Sequence, residues 1–272
     1  MTSSFVDFHI KYLLDEDEQF AHSWHRMNSE ICEDVLSTLK SMDAEVQESG
    51  RELAQSHEIA FLLAKPWFAH IEQIEFIKRG NTATWQAFVF NSEMKEAVFE
   101  RTNERLKSFL QSPFLTEGIR LYGGIKSLSS LREKIVRAKI QRSVEADPLV
   151  FWDIVRFRIV CPSLGELAMV GKSFWDYFSA DTVRCRNFYT RPQHGILQLP
   201  YRAIHFELAD EDERLVEVQL MSKYREAVAL IEHSTLFKRK ISCLDEQHEK
   251  LLFELSQKAN IAEVRQVRRE AW

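Results

Sequence analysis

The spacing of the apolar residues changes near residue 113, and this change limits the folds that the chain can adopt. Before Pro113, apolar residues recur at helical spacing, as in 93–110, where they form one stripe. After it, short β-branched and apolar runs alternate with helical segments. This order predicts a β-sheet with helical flanks, of the α/β or α+β class.

The predicted elements divide the chain into three parts. We predict a helical N-terminal region over 1–112, a sheet domain over 113–240 and a C-terminal helix over 241–272. The Gly123-Gly124 pair is expected to lead from the first strand into a turn. Strands are expected at 119–125, 153–161, 182–189, 201–208 and 214–221, and helices at 127–143, 164–178, 223–238 and 245–270.

Charge, cysteine usage and hydropathy exclude several classes of protein. The net charge of −5 excludes a chain-wide basic surface for nucleic acid. A local basic surface for nucleic acid is still possible at Arg184, Arg186 and Arg191, which are interleaved with Phe188 and Tyr189. The four cysteines follow neither a disulfide nor a zinc pattern, which predicts reduced thiols in a cytoplasmic protein. No apolar run approaches the roughly 20 residues of a membrane span, so no membrane association is expected.

The last predicted strand, Arg214–Met221, carries two polar side chains on one face. Because side chains alternate between the faces of a strand, Glu217 and Gln219 point away from the valines beside them. A polar face of this kind normally turns to water. The alternative is an active face that holds a carboxylate and an amide.

A carboxylate at the start of another strand, Asp153, is followed by Arg156 and Arg158. This combination suits phosphate chemistry, because a carboxylate can hold Mg²⁺ and guanidinium groups neutralise phosphate oxygens. The competing interpretation is an N-terminal cap followed by two surface arginines.

Two further groups of residues suit nucleotide binding. Lys126, Ser130 and Lys134 surround the start of a predicted helix, and a helix N-terminus with nearby hydroxyls and lysines can receive phosphate. Tyr201 follows a loop with basic residues and can stack on a base. The competing interpretations are an ordinary capped surface helix and a core tyrosine.

Taken in order, these motifs resemble the synthetase domain of the RelA/SpoT family over residues 121–238. The similarity is to small alarmone synthetases, including the toxic type. It implies an α+β fold with a nucleotidyltransferase-like mixed β-sheet flanked by helices and a helical N-terminal region. The segments and residues that carry the resemblance are Gly124-Ile-Lys126-Ser127, Ser130, Lys134, Asp153, Arg158, Tyr201-Arg-Ala-Ile-His205, Glu217-Val-Gln219, Glu232-His233 and Lys238.

The resemblance implies an ATP-dependent pyrophosphokinase that uses Mg²⁺ and makes the stringent-response alarmone (p)ppGpp. The β,γ-pyrophosphate of ATP would move to the 3′-hydroxyl of GDP or GTP. Asp153 matches the magnesium-binding aspartate, and Glu217 matches the glutamate that assists deprotonation of the hydroxyl or helps to hold the metal. Tyr201 matches the tyrosine that stacks on guanine. The candidate nucleotide-binding residues are Lys126, Ser130, Lys134, Arg156, Arg158, Arg191, Tyr201, His205, Gln219 and His233.

Three positions depart from the family pattern. Where the family has an arginine that contacts ATP, this chain has Gly124. Arg120 is on the same face of the predicted strand, but it lies about 13 Å from Gly124, at about 3.3 Å per residue. The family's glycine before the tyrosine is Pro200, and the serine two residues after that tyrosine is Ala203. No His-Asp pair occurs in the chain, so we expect no alarmone hydrolysis.

Two other functions stay open from the sequence. Some small relatives resemble toxins that pyrophosphorylate the 3′ end of tRNA, and the basic aromatic segment 184–191 and the altered acceptor motif suggest this option. The helices expected in residues 1–110 could bind a partner such as an inhibitory protein or an RNA. Gly124 instead fits a catalytically degenerate domain that binds nucleotide as a regulator. The sequence also leaves a homo-oligomer open.

Overall fold

The computed structural model describes residues 37–45, 74–75, 91–113, 115, 117–127, 153–190, 193–194, 200–210, 214–232 and 246–270. Its helices are α1 (Ser92–Leu110), α2 (Leu164–Phe178), α3 (Lys223–Glu232) and α4 (Glu246–Glu270), and residues 37–45 are also helical. Its strands are β1 (Ile74–Glu75), β2 (Arg120–Ile125), β3 (Val155–Cys161), β4 (Thr182–Asn187), β5 (Gln193–His194), β6 (Pro200–Tyr201), β7 (Ile204–Ala209) and β8 (Leu215–Ser222).

Six of the strands form one mixed sheet in the order β1-β4-β7-β8-β3-β2. Strands β3 and β8 are parallel, and the other neighbouring pairs are antiparallel. Strands β5 and β6 form a separate two-stranded pair. The predicted α+β fold, a mixed sheet flanked by helices, is therefore confirmed.

Helices α1 and α2 cover one face of the sheet, which we call the apolar face. Its core includes Phe157 of β3 and Phe206 of β7, packed with Phe174 of α2, and all three side chains are fully buried. Helix α2 begins after Ser163, whose hydroxyl accepts a hydrogen bond of 3.2 Å from the backbone N–H of Glu166. An apolar stripe and a capped start together explain why the sequence forms a helix at this point.

A close approach on the apolar face requires glycine at position 123. The rings of Phe99 and Phe157 stack with their centroids 5.0 Å apart. A Cβ on Gly123 would lie 2.5 Å from the Phe157 ring, which is shorter than any ordinary contact. Gly123 and Gly124 therefore lie inside β2, and the prediction that this pair leads into a turn is wrong.

The opposite face of the sheet, which we call the polar face, carries charged and aromatic side chains in register. One row of cross-strand partners, from β2 to β4, is Gly124, Arg156, Glu217, Glu207 and Arg184. The next row is Tyr122, Arg158, Gln219, His205 and Arg186. All residues of β8 are buried, so the polar side of this strand is not a solvated surface. The interpretation of a polar face turned to water is therefore wrong, and the active face that holds a carboxylate and an amide stays a prediction.

Helices α3 and α4 pack on each other and contact the end of β8. Arg225 of α3 forms an ion pair of 3.0 Å with Glu263 of α4. The hydroxyl of Ser222, the last residue of β8, donates a hydrogen bond of 2.6 Å to the same carboxylate. The helical segment 37–45 contacts α4 through an ion pair between Asp43 and Lys258. The C-terminal helix is thereby connected to the strand that carries Glu217.

Some predicted elements need correction. The region predicted to be helical also contains a short strand, Ile74–Glu75, which pairs with the edge of β4 and is too short for a period-two pattern to indicate it. The single strand predicted at 201–208 is two strands, β6 and β7. The predicted helix at 127–143 and most of 1–90 lie outside the described residues. In the part of the chain that the structure describes, no helix is long and apolar enough to span a membrane.

Candidate active site

Glu217 lies in the middle of the polar face and is buried. The Nε2 amide of Gln219 donates a hydrogen bond of 2.7 Å to its Oε1 atom, and Nδ1 of His205 lies 3.4 Å from its Oε2 atom. Burial by itself would raise the pKa of Glu217, but the charge and hydrogen bonding of His205 and the hydrogen bond from Gln219 lower that pKa to about 2. The Glu217 carboxylate is therefore ionised at neutral pH.

Asp153 precedes β3 and contacts Lys126, which follows β2. The Lys126 ammonium group donates a hydrogen bond to the Asp153 carboxylate. The backbone N–H of Lys126 also donates a hydrogen bond of 2.7 Å to the carbonyl of Ile154. The pairing of β2 with β3 thus brings together a cation and a carboxylate that both belong to the predicted site.

Arg156 lies next to both candidate catalytic carboxylates. Its register partners are Glu217 on β8 and Gly124 on β2. Burial lowers the pKa of Arg156 to about 9, while the charges of Asp153 and Glu217 act to raise it, so the guanidinium group stays protonated at neutral pH. The cation beside Gly124 therefore comes from the neighbouring strand, and not from Arg120.

Arg158, a predicted phosphate contact, is almost fully buried among polar groups. It donates a hydrogen bond of 3.3 Å to Oε1 of Gln219, and its Nη1 atom lies 3.9 Å from Oε1 of Glu226. Arg120 donates a hydrogen bond of 3.4 Å to the other oxygen of Glu226. Arg158 thus holds in place the Gln219 amide that contacts Glu217, and Arg120 is held beside helix α3 by Glu226.

Tyr201 and His205 form the other side of the site. The Tyr201 hydroxyl and Nε2 of His205 lie 2.8 Å apart, so His205 connects Tyr201 to Glu217. The ring of Phe188 meets both side chains edge-on, with centroid distances of 5.5 Å to Tyr201 and 5.0 Å to His205. Three aromatic rings therefore lie together beside the buried carboxylate.

Glu207 is a polar-face residue that the sequence prediction does not include. It is the register partner of Glu217, is fully buried, and accepts hydrogen bonds from Arg184 and Arg186. Burial raises the pKa of Glu207, against the effect of the two arginines. Its position two residues after His205 in a strand is the signal that could have placed it on the same face.

The structure brings most of the predicted site residues into one group, and their roles stay predictions. Ser130, Lys134, Arg191 and His233 lie outside the residues whose side chains the structure describes. The grouped residues are Lys126, Asp153, Arg156, Arg158, Tyr201, His205, Glu217 and Gln219.

The donor chemistry of the site fits the expected Mg²⁺. Magnesium in phosphate-transfer sites is usually held by one or two protein carboxylates, with substrate phosphates and water as the other ligands. Asp153 and Glu217 are two such carboxylates, close enough for each to act on the charge of Arg156. Among the described residues, no cluster of three or more His, Cys, Asp or Glu side chains could hold a metal. The pair fits a metal that binds together with nucleotide phosphates.

Comparison with known proteins supports the fold. Residues 123–242 match the family described as a region found in RelA / SpoT proteins. No sequence among curated proteins matches the chain. Small alarmone synthetase 1 from Bacillus subtilis, bound to its product pppGpp, is similar with a TM-score of 0.53 and 20% identity over 69% of this chain and 97% of that protein. Small alarmone synthetase 2 from the same organism has a TM-score of 0.52 and 15% identity over 69% of this chain and 98% of that protein.

The fold therefore belongs to the class in which a mixed sheet has one apolar, helix-covered face and one charged face. Residues 123–242 match the RelA/SpoT family model, and this is the part of the chain in which the order of the sequence motifs indicates the resemblance. Helix α4 lies beyond the matched residues, yet it packs on α3 inside them.

Proposed function

We propose that the protein is an ATP-dependent pyrophosphokinase that transfers the β,γ-pyrophosphate of ATP to the 3′-hydroxyl of GDP or GTP and so makes (p)ppGpp. One observation carries this proposal. The ionised Glu217 is connected through His205 to Tyr201 on one side, and lies beside Arg156 and Asp153 on the other. The aromatic side suits an acceptor nucleoside, and the cationic side suits the phosphates of a donor.

The reaction forms a bond between O3′ of the acceptor and Pβ of ATP and breaks the bond from Pβ to the α,β-bridging oxygen, so that AMP leaves. The proton of the 3′-hydroxyl is released to solvent. Such transfer depends on positioning and charge neutralisation more than on a covalent nucleophile. Arg156 and Lys126 would neutralise donor phosphate oxygens, and Tyr201 would stack on the acceptor base. Mg²⁺, held by Asp153 and Glu217, would supply further neutralisation of phosphate charge.

The low pKa of Glu217 bears on its part in the reaction. A general base is most effective when its pKa lies near the working pH. Glu217, with a pKa of about 2, is a weak base at neutral pH. Both oxygens of the Glu217 carboxylate also have partners, Gln219 at 2.7 Å and His205 at 3.4 Å. We therefore infer that Glu217 acts through its negative charge, by orienting the attacking hydroxyl or holding Mg²⁺, more than as a proton acceptor.

The direct test is to incubate the purified protein with γ-labelled ATP, Mg²⁺ and, in separate reactions, GDP, GTP or bulk tRNA. We expect label in a guanine nucleotide and release of an equal amount of AMP. Label in tRNA alone would overturn the choice of acceptor and favour the toxin. Binding of nucleotide with no transfer to any acceptor would favour the catalytically degenerate regulator.

Tyr201→Ala is expected to raise the KM for the acceptor about 5- to 150-fold, because stacking of a base on an aromatic side chain is worth about 1–3 kcal/mol. The KM for ATP should change little. Tyr201→Phe keeps the ring and removes only the hydroxyl that contacts His205 at 2.8 Å, so it separates stacking from hydrogen bonding. Steady-state kinetics with each substrate varied in turn makes the measurement, and an unchanged acceptor KM in Tyr201→Ala would remove the stacking role.

Arg156→Gln is expected to raise the KM for ATP about 10- to 150-fold, because a hydrogen bond to a charged group is worth about 1.5–3 kcal/mol. The KM for the acceptor should change little, since Tyr201 lies on the other side of Glu217. Arg105→Gln is a matched control. Arg105 lies on helix α1 and forms an ion pair of 2.6 Å with Asp181. If the Arg156→Gln variant binds ATP as the wild type does, Arg156 does not bind the phosphates of the donor nucleotide.

A further inference from the structure

A series of contacts crosses the polar face from helix α3 to Glu217. Glu226 lies in the first turn of α3, and its Oε1 atom is 3.9 Å from Nη1 of Arg158 on β3. Arg158 donates a hydrogen bond of 3.3 Å to Oε1 of Gln219, and Nε2 of Gln219 donates one of 2.7 Å to Glu217. We call these four residues the Glu226–Glu217 relay. Glu226 is the member that the sequence prediction does not include.

The relay fixes the orientation of the Gln219 amide. An amide has an acceptor at one end and donors at the other, whereas a guanidinium group has donors alone. Because Arg158 provides N–H groups, the carbonyl oxygen of Gln219 faces Arg158 and its NH₂ group faces Glu217. The ionised Glu217 carboxylate accepts hydrogen bonds and cannot donate them. With Arg158 in place, the amide therefore presents the end that the carboxylate needs.

Glu226 is a counter-ion of Arg158 at the far end of the relay. Nη1 of Arg158 faces Glu226, while Nη2 faces Gln219. The side chains of Arg158 and Glu226 are only 2% and 5% exposed, so water compensates little of either charge. Removing one partner of a buried ion pair leaves an uncompensated charge, which is costly. We therefore expect the Arg158 guanidinium group to depend on Glu226 for its position.

Helix α4 holds the first turn of α3 from the other side. Arg225 precedes Glu226, and neighbouring residues of a helix do not face the same way. Arg225 forms the ion pair of 3.0 Å with Glu263 of α4, and its backbone N–H donates a hydrogen bond of 3.2 Å to the Ser222 hydroxyl. Glu226 thus extends toward the sheet from a backbone that α4 and the end of β8 fix in place.

The environment of Glu226 is unfavourable for a role in stability alone. Burial raises the pKa of Glu226, against the effect of Arg158 and Arg120. The fold therefore disfavours the charged form of this side chain. The 3.9 Å between its Oε1 atom and Nη1 of Arg158 is also longer than a hydrogen bond. A buried ion pair is weak evidence for a stabilising contact, and this geometry fits a positioning role better.

We propose that Glu226 is a positioning residue for the transfer reaction and that it acts on Glu217 through Arg158 and Gln219. This inference rests on the proposed function, in which the Glu217 carboxylate acts through its negative charge. A misplacement of about 1 Å in an active site can cost about a hundredfold in rate. Because Glu226 touches neither nucleotide in this arrangement, its loss should lower kcat and leave both KM values nearly unchanged.

The test is a double-variant cycle on kcat. Glu226→Gln keeps the size of the side chain, removes its charge and is expected to lower kcat about tenfold, within the range of coupled residues. Gln219→Ala is expected to lower kcat about 10- to 150-fold, because it removes a hydrogen bond to a charged group. In the Gln219→Ala background, Glu226→Gln should have no further effect, since both residues act through the same contact. Glu226→Asp keeps the charge and should recover part of the loss.

Arg120→Gln is the matched control. It removes the group that donates a hydrogen bond of 3.4 Å to the other oxygen of Glu226, and it leaves the contacts of Arg158 intact, so kcat should stay close to the wild-type value. Losses that multiply in the double variant would overturn the inference, because Glu226 would then act independently of Gln219. An equal loss in Arg120→Gln would overturn it too, since it would show a structural role. If Glu226→Gln does not fold, Glu226→Asp takes its place in the cycle, with the same two outcomes.

Nuclear magnetic resonance tests the relay without turnover. The side-chain NH₂ signals of Gln219 are assigned by their loss in Gln219→Ala. Glu226→Gln should shift these signals and speed their exchange with water, whereas Arg120→Gln should leave them unchanged. If the wild type transfers no pyrophosphate, this result would support the inference although the proposed function fails. Gln219 signals that stay unchanged in Glu226→Gln would overturn the inference even in an active enzyme.

Discussion

Glu217→Gln is expected to reduce kcat for pyrophosphate transfer at least about a hundredfold, the effect seen when one preorganised electrostatic contact is removed from an active site. Glutamine keeps the shape of the side chain and can still accept the hydrogen bond from Gln219, which is 2.7 Å long. It lacks the negative charge that His205 faces at 3.4 Å. Turnover with saturating ATP and acceptor measures the loss, and far-ultraviolet circular dichroism checks that the fold is kept.

Asp153→Asn is expected to abolish activity in the same way, because both carboxylates are assigned to Mg²⁺ and phosphate positioning. Asp181→Asn is the matched control. Asp181 forms a partly exposed ion pair with Arg105, and such pairs are worth about 0–1 kcal/mol. Normal turnover in Asp153→Asn would contradict the metal assignment, and normal turnover in Glu217→Gln would contradict the catalytic one.

The elements with long, regular patterns could be predicted from the sequence. Helix α2 has the predicted bounds, Leu164–Phe178, because it combines an apolar stripe with a capping serine. Strand β8 lies within one residue of its prediction, since a run of alternating valines and polar residues is typical of a strand. Both signals are local, and they depend on no other part of the chain.

The arrangements that could not be predicted depend on pairs of distant segments. Gly123 and Gly124 indicated a turn, but the stacking of Phe99 on Phe157 explains why a glycine lies inside the strand. The position of Arg156 beside Gly124 follows from the register of β2 on β3, which no local pattern fixes. Glu207 differs from these two cases, because its position two residues after His205 is a local signal that the sequence prediction did not use.

Glu263→Ala is expected to lower the free energy of unfolding by about 3–5 kcal/mol, because it leaves the buried Arg225 without its counter-ion. The side chains of Arg225 and Glu263 are only 4% and 1% exposed and lie 3.0 Å apart. Glu263 also accepts the hydrogen bond of 2.6 Å from Ser222 at the end of β8. Urea unfolding followed by circular dichroism measures the change from the midpoint and the slope.

The double variant Arg225→Met/Glu263→Leu shows whether the loss comes from an unpaired charge. Replacing both partners of a buried ion pair with apolar residues is often neutral, so the double variant should be more stable than Glu263→Ala. The double variant should not regain the full wild-type stability, because Ser256 and Asn260 also contact Arg225. A Glu263→Ala protein that unfolds at the wild-type urea concentration would show that the pair contributes little. If the loss is as expected, helix α4 supplies the counter-ion that Arg225 needs. Residues 123–242 would then depend on this helix to keep β8, and with it Glu217, in place.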